Sequence, residues 1–168
     1  MKLLIVRHAI AMDRDEFAAT GKSDDFRPLT TAGRRRMRGV AKGLATTVVP
    51  DLIATSPLTR AMDTAKILAR AYGVEVGAAV DALRPESPPE EFAAWARTQR
   101  AESTVAVVGH EPHLSQLVAW LTTGRSSAFI ELKKGGACLI ELEGAPEESG
   151  GTLLWLMRPS QLDALRSR

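Results

Sequence analysis

Apolar positions along this chain follow two patterns. Short, continuously apolar runs with β-branched residues occur at Leu3-Leu4-Ile5-Val6 and at Val105-Ala106-Val107-Val108 within Thr104 to Gly109, and Asp51 to Ser56 reads as another short strand. Runs of this kind look like strands buried on both faces of a parallel sheet. Elsewhere the period is helical. Met37, Val40, Ala41 and Leu44 recur behind Thr30, a good N-cap, and predict a helix from about Thr31 to Thr46. Pro57 stops the second run and suits the first turn of a helix carrying Leu58, Met62, Ala65, Leu68 and Ala69, which Tyr72-Gly73 ends. Val74 to Val76 reads as a third strand and Asp81 to Pro89 as a proline-punctuated loop. Glu90 to Arg100 reads as an amphipathic helix whose Trp95 belongs to the core, and Pro112 to Thr122 as another with Leu114, Leu117, Val118 and Leu121 inward, ended by Gly124. Lys133 to Gly136 is a turn. Ala137 to Leu142 and Thr152 to Met157 form a hairpin, and Ser160 to Arg168 a short terminal helix. The stretch from Ile10 to Phe26 is polar and without period, a loop over the end of the first strand, and its length marks it as a lid or binding loop. The alternation predicts an α/β protein: a single domain over residues 1–168, built as a three-layer α/β/α sandwich around a mostly parallel central sheet.

Composition narrows this further. The 168 residues are 45% apolar and 25% charged, as in an average globular domain. Lys and Arg number 22 against 20 Asp and Glu, too even a balance to predict a nucleic-acid partner. No apolar run approaches the ~18 residues of a membrane span, so no membrane partner is expected, and the start leads straight into a strand, as in a cytoplasmic protein. Cys138, the sole cysteine, rules out an intramolecular disulfide and a cysteine metal cluster and reads as filler in a strand. Arg34, Arg35, Arg36 and Arg38 project away from the apolar stripe of their helix as a solvated face, with a docking site for an acidic partner as the alternative.

The chemistry gathers at strand ends. The first run ends in Arg7-His8, the second in Ser56 with Arg60 on the following helix's first turn, and the third in Gly109-His110. Open α/β sheets keep their ligand crevice at that edge. Two arginines, two histidines and a helix N-terminus make a pocket for a dianion such as phosphate, since the guanidinium fork bonds two oxygens at once. An imidazole whose other nitrogen is anchored can attack phosphorus and form a phosphohistidine. Arg7, Arg60 and His110 could stabilise the transferring group without a metal or other cofactor, and no acidic triad or His-x-x-x-His pair suggests a metal site.

Arg7-His8-Ala9 resembles the Arg-His-Gly signature of the histidine phosphatase (phosphoglycerate mutase-like) superfamily. Ser56-Pro57-Leu58-x-Arg60-Ala61-x-x-Thr64-Ala65 and Val108-Gly109-His110 resemble its second and third motifs. Ala9, Arg27-Pro28-Leu29-Thr30-x-x-Gly33 and Gly109-His110-x-Pro112 are similar to the SixA-type phosphohistidine phosphatases. The resemblance implies the phosphoglycerate mutase-like fold, His8 as nucleophile, Arg7, Arg60 and His110 as phosphate ligands, and Arg27 as a substrate-binding arginine that closes the pocket. It also implies a general acid, and the positions to consider are Glu111, directly after the second histidine, and Glu86, in a segment that matches the mutase motif poorly. A phosphoramidate leaving group can be protonated beforehand and needs less help from an acid.

These readings predict a metal-independent phosphatase working through a covalent phosphohistidine, with a phosphohistidine-containing protein as partner. The alternatives are a small-molecule phosphomonoesterase of the same superfamily and an inactive phosphate-binding module. His113 is expected to face solvent or cap its helix, Lys133 and Lys134 to be solvated turn lysines with contact to an acidic substrate as the alternative, and Asp13 and Ser23 carry no assigned contact.

Overall fold

Leu3, Leu4, Ile5 and Val6 are wholly buried because their strand, β1 (Lys2–Arg7), lies inside a sheet covered on both faces. The computed structural model describes residues 1–166. The other strands are β2 (Leu52–Thr55), β3 (Val76–Ala79), β4 (Thr104–Gly109), β5 (Ala137–Leu142) and β6 (Gly151–Met157). They lie in the order β3-β2-β4-β1-β5-β6, with β1 to β4 mutually parallel and β5 antiparallel to both β1 and β6. Helices α1 (Arg14–Ala18), α2 (Thr31–Leu44), α3 (Thr59–Tyr72), α4 (Pro89–Ala96), α5 (His113–Thr123) and α6 (Pro159–Leu165) complete the α/β architecture. Leu3, Ile5, Val105 and Val107 pack against α4 and α5, through Phe92, Leu114 and Leu117. Leu4, Val6, Ala106 and Val108 point the opposite way, onto α2, α3 and α6, through Met37, Val40, Leu68 and Leu162. Truncating any of these buried leucines to alanine would cost ~2–5 kcal/mol.

Thr30 caps α2 as expected, its hydroxyl accepting from Gly33 N at 2.9 Å. Gly33 is required there: a Cβ would run into the carbonyl oxygen of Ile10, so α2 can pack against the chain leaving β1 only with no side chain at that position. Cys138 is buried in β5, and Trp95, half-buried, packs on Phe92 with ring centroids 5.5 Å apart.

Several boundaries differ from the expectation. The third strand is Val76–Ala79 rather than Val74 to Val76, because Val74 N donates to Ala69 O at 3.1 Å and so closes the end of α3 around left-handed Gly73. The α4 helix ends at Ala96, since Thr98 and Gln99 bond three residues back, in tightened turns, rather than continuing to Arg100. Pro57 precedes the α3 N-cap, Leu58, and so stands outside its first turn. Of the terminal helix expected over 160–168, residues 167 and 168 lie outside the described residues. The stretch from Ile10 to Phe26 is more ordered than its polarity suggests. Asp13 caps α1 by accepting from Asp15 N and Glu16 N, and Ser23 caps a single 3-10 turn at Asp24–Phe26. Its ends are joined by Met12 N to Pro28 O at 2.9 Å and Thr30 N to Ile10 O at 3.0 Å.

Candidate active site

Parallel pairing of β1 with β4 sets Arg7 opposite Gly109, and His8 N extends the ladder to Gly109 O at 3.0 Å. The two strand ends that each carry a histidine are therefore neighbours, and the rings of His8 and His110 lie 5.1 Å apart. On the far side of β4, Ser56 N donates to Val108 O at 2.9 Å, which brings the start of α3 and Arg60 to the same edge. Arg7, His8, Arg60 and His110 line one cavity of about 570 Å3, and Arg27, Glu86 and Glu111 line it too.

A hydrogen bond to a carbonyl fixes the tautomer of His8. Nδ1 of His8 lies 2.7 Å from the Ala9 carbonyl oxygen, so it carries the proton and donates, leaving Nε2 with its lone pair. Ser56 Oγ accepts from Leu58 N at 3.4 Å and lies 2.8 Å from Nε2 of His110. In the tautomer that gives the serine hydroxyl an acceptor, Nε2 accepts from Ser56 and His110 carries its own proton on Nδ1. That Nδ1, Nε of Arg7 and Nε of Arg60 are buried without a protein partner. Buried donors rarely go unpaired in native proteins, and three at one cavity form a cradle for an oxyanion. Burial foremost, then the charges of Arg60, Arg7 and Lys134, holds the His8 pKa at about 3 against the lift from its bond to Ala9. Burial, then His8 and Arg60, lowers that of His110 to about 2. Burial thus favours the neutral form of both rings.

The arginines are held individually. Arg7 Nη1 donates to Leu132 O at 2.6 Å, Arg27 Nη1 to Met12 O at 2.8 Å, and Arg60 Nη1 to Asp24 O at 2.9 Å. Asp24 also pairs through its carboxylate with Arg27 and Arg60. Partial burial raises the Asp24 pKa, but the Arg27 hydrogen bond and the two arginine charges outweigh it and leave the group more acidic than usual. Thr64 ties two elements together: its hydroxyl accepts from Ala9 N at 3.0 Å and donates to Arg60 O at 2.7 Å.

The two acid candidates differ. Glu86 is exposed on the rim, beside Arg84, which pairs with Asp81 and with Asp25 across the opening. Glu111 has both carboxylate oxygens engaged, Oε1 accepting from Leu132 N at 3.2 Å and Oε2 from the Ser115 hydroxyl. It braces the loop that holds Arg7.

Sequence reasoning missed Asp24 and Arg84 as cavity residues, and Lys134, weighed only as a substrate-side alternative, also lines the cavity. The spacing of Asp24 to Arg27 was the available signal for the first. His113 is a correction: it is wholly buried, with neither ring nitrogen bonded to protein, because the first turn of α5 faces inward along with Leu114 and Ser115. Burial lowers its pKa to about 4. Asp13 and Ser23 act as caps, although Asp13 also lines the cavity. Among the described residues, no group of three or more His, Cys, Asp or Glu side chains is placed to hold a metal, and no helix is long and apolar enough to cross a membrane.

Comparison with known proteins gives a consistent picture. The family model described as histidine phosphatase superfamily (branch 1) matches residues 3–84. An uncharacterised protein of Picosynechococcus sp. is 35% identical over 139 residues, 81% of this chain and 82% of that protein. Among solved structures, the chain is similar to the protein histidine phosphatase SixA complexed with tungstate, at 28% identity and TM-score 0.79, covering 96% of this chain and 99% of that one. It also shares its fold with an Escherichia coli K-12 protein assigned as an alpha-ribazole-5'-P phosphatase, at 20% identity and TM-score 0.74, over 95% of this chain and 98% of the other.

Proposed function

The chain belongs to the histidine phosphatase superfamily, and from that premise we propose that it removes phosphate from phosphohistidine carried by a protein, through a covalent phosphoenzyme on His8. The observation that carries this reading is the set of three buried, unpartnered donors, on Arg7, Arg60 and His110, around a histidine whose Nδ1 proton is committed to Ala9. In the similar SixA the bound group is tungstate, an oxyanion.

The Nε2 lone pair of His8 attacks phosphorus in line, and the phosphorus–nitrogen bond to the substrate imidazole breaks. Its electron pair returns to the leaving nitrogen. A substrate ring already protonated on its distal nitrogen departs as neutral imidazole, so no protein acid is needed at this step. Water then attacks the phosphorus on His8. The phosphorus–Nε2 bond breaks, both water protons leave with inorganic phosphate, and His8 returns to the tautomer donating to Ala9. Negative charge on the three equatorial oxygens meets the fixed donors of Arg7, Arg60 and His110. Glu111, spent on Leu132 and Ser115, suits a substrate that needs no general acid.

The test is hydrolysis of a phosphohistidine-bearing phosphotransfer protein beside an aryl phosphate, with chelator present, by wild type and His8→Ala. Preference for the phosphoprotein and loss of turnover in His8→Ala support the reading. Cleavage of the aryl ester alone makes the protein a small-molecule phosphomonoesterase, with Glu86 on the rim as the acid to examine. Cleavage of neither makes it a phosphate-binding module.

A further inference from the structure

Beside the catalytic cavity runs a second groove of about 430 Å3, which shares Arg7 and Lys134 with it. Its walls also carry Arg36 from α2, Lys133 from the turn before β5, and Arg158 at the start of α6. Lys133 pairs with Glu131 at 2.7 Å, whereas Arg36, Lys134 and Arg158 enter no ion pair among the described residues. These cations sit on fixed backbone. Gly135 N lies 3.1 Å from both Arg7 O and His8 O, and Arg7 N donates to Gly136 O at 3.1 Å, so the lysine turn is joined to the strand end that bears His8. Gly135 makes this approach in the left-handed conformation, at φ +79°. Arg158 N donates to Gln161 Oε1 at 2.8 Å, and Arg36 stands on the exposed side of α2.

Arg7, Arg36, Lys133, Lys134 and Arg158 outnumber the Glu131 carboxylate that pairs with Lys133, and the fold gains nothing from their mutual repulsion. We propose that this groove is the docking surface for an acidic face of the protein that carries the phosphohistidine. The proposal rests on the phosphohistidine reading of the cavity. A phosphoryl group in the cavity occupies the donors of Arg7, Arg60 and His110, so recognition of the carrier must come from outside, and the groove is a strongly basic surface continuous with the mouth. A protein fits better than a nucleic acid or a membrane. The groove's lining includes no aromatic side chain on which a base could stack, and none of the large exposed apolar residues, Phe26, Val49, Phe129, Leu154 and Leu156, which could enter a bilayer.

The test uses an acidic histidine phosphotransfer domain carrying phosphohistidine, and free phosphohistidine, as substrates for wild type and Arg36→Glu/Arg158→Glu. Both positions lie outside the catalytic cavity. The expected result is a KM for the phosphoprotein raised at least ~10-fold with kcat unchanged, while turnover of free phosphohistidine is unaltered. In wild type, kcat/KM for the phosphoprotein falls steeply with added salt and that for free phosphohistidine does not. This second measurement stands if the charge reversals prevent folding. An equal loss on both substrates overturns the proposal, as does an unchanged variant together with a flat salt dependence. If wild type still prefers the phosphoprotein in those cases, the substrate reading survives and only the groove is lost. If wild type cleaves the phosphoprotein no better than free phosphohistidine, the substrate reading fails and takes the docking surface with it. Binding of duplex DNA or anionic vesicles that the double substitution abolishes, with phosphoprotein turnover unchanged, also overturns it.

Discussion

Asp24 bridges two arginines of the cavity, its Oδ1 2.6 Å from Nε of Arg27 and its Oδ2 3.1 Å from Nη1 of Arg60. The carboxylate holds these guanidinium groups and also places a negative charge where a dianion must bind. The two effects oppose each other. Arg27 keeps its bond to Met12 O and Arg60 its bond to Asp24 O when the carboxylate is neutralised, so much of the positioning survives. A half-exposed ion pair contributes ~0.2–1 kcal/mol. Asp24→Asn is expected to tighten competitive inhibition by inorganic phosphate by up to about fivefold, the most that energy allows. Weaker inhibition would mean that positioning dominates.

Glu111→Gln separates a brace from an acid. The substitution removes the charge and one of the two acceptors used by Leu132 N and the Ser115 hydroxyl, at a cost of ~1–3 kcal/mol in unfolding free energy. Turnover of phosphohistidine should hold, with its alkaline limb unchanged. A kcat loss of ~100-fold or more would make Glu111 the general acid after all.

Thr64→Val keeps the shape of a buried side chain and removes its hydroxyl. Ala9 N then loses its acceptor, which costs ~1–3 kcal/mol in a denaturant titration. Arg60 retains its contacts with Asp24, so phosphate should still bind while the folded state weakens.

The three histidines make stability depend on pH. Burial foremost holds His8 at about 3, His110 at about 2 and His113 at about 4, against 6.5 for an ordinary histidine. Below pH 6.5 the unfolded chain therefore binds more protons than the folded one. The stability is fully present above that pH and is lost progressively as pH falls toward the folded values. Urea titrations at successive pH values should show unfolding free energy falling from pH 7 to pH 4. Saturating phosphate should flatten the fall, because an anion beside His8 and His110 favours their charged forms. His113→Leu should remove one proton from the uptake and raise the unfolding midpoint, since it replaces a buried ring that has no protein partner.

The sheet was legible because β1 and β4 are continuously apolar runs rich in β-branched residues, and because each ends in a histidine the two strand ends could be read as one site. The arginines on strand and helix ends followed from the same elements. Asp24 was not legible, since its partner Arg60 is 36 residues away and the two meet only when the loop after β1 folds back. The orientation of His113 depends on which side of the first turn of α5 meets the core, and helical spacing alone leaves that open. The start of β3 was misplaced for a local reason: Val74 is claimed by the end of α3 before it can join a strand.

Arg7 is held by Leu132 O, and the carbonyls of Arg7 and His8 are held by Gly135 N, across more than 120 residues of chain. During synthesis, His8, Arg60 and His110 all leave the ribosome before the segment that fixes the first strand end. The nascent chain thus carries its whole reactive set while the arginine fork is still unanchored. Phosphatase activity should begin only once residues 132–136 have emerged and β5 has zipped onto β1, a late long-range step that leaves an unfinished copy idle.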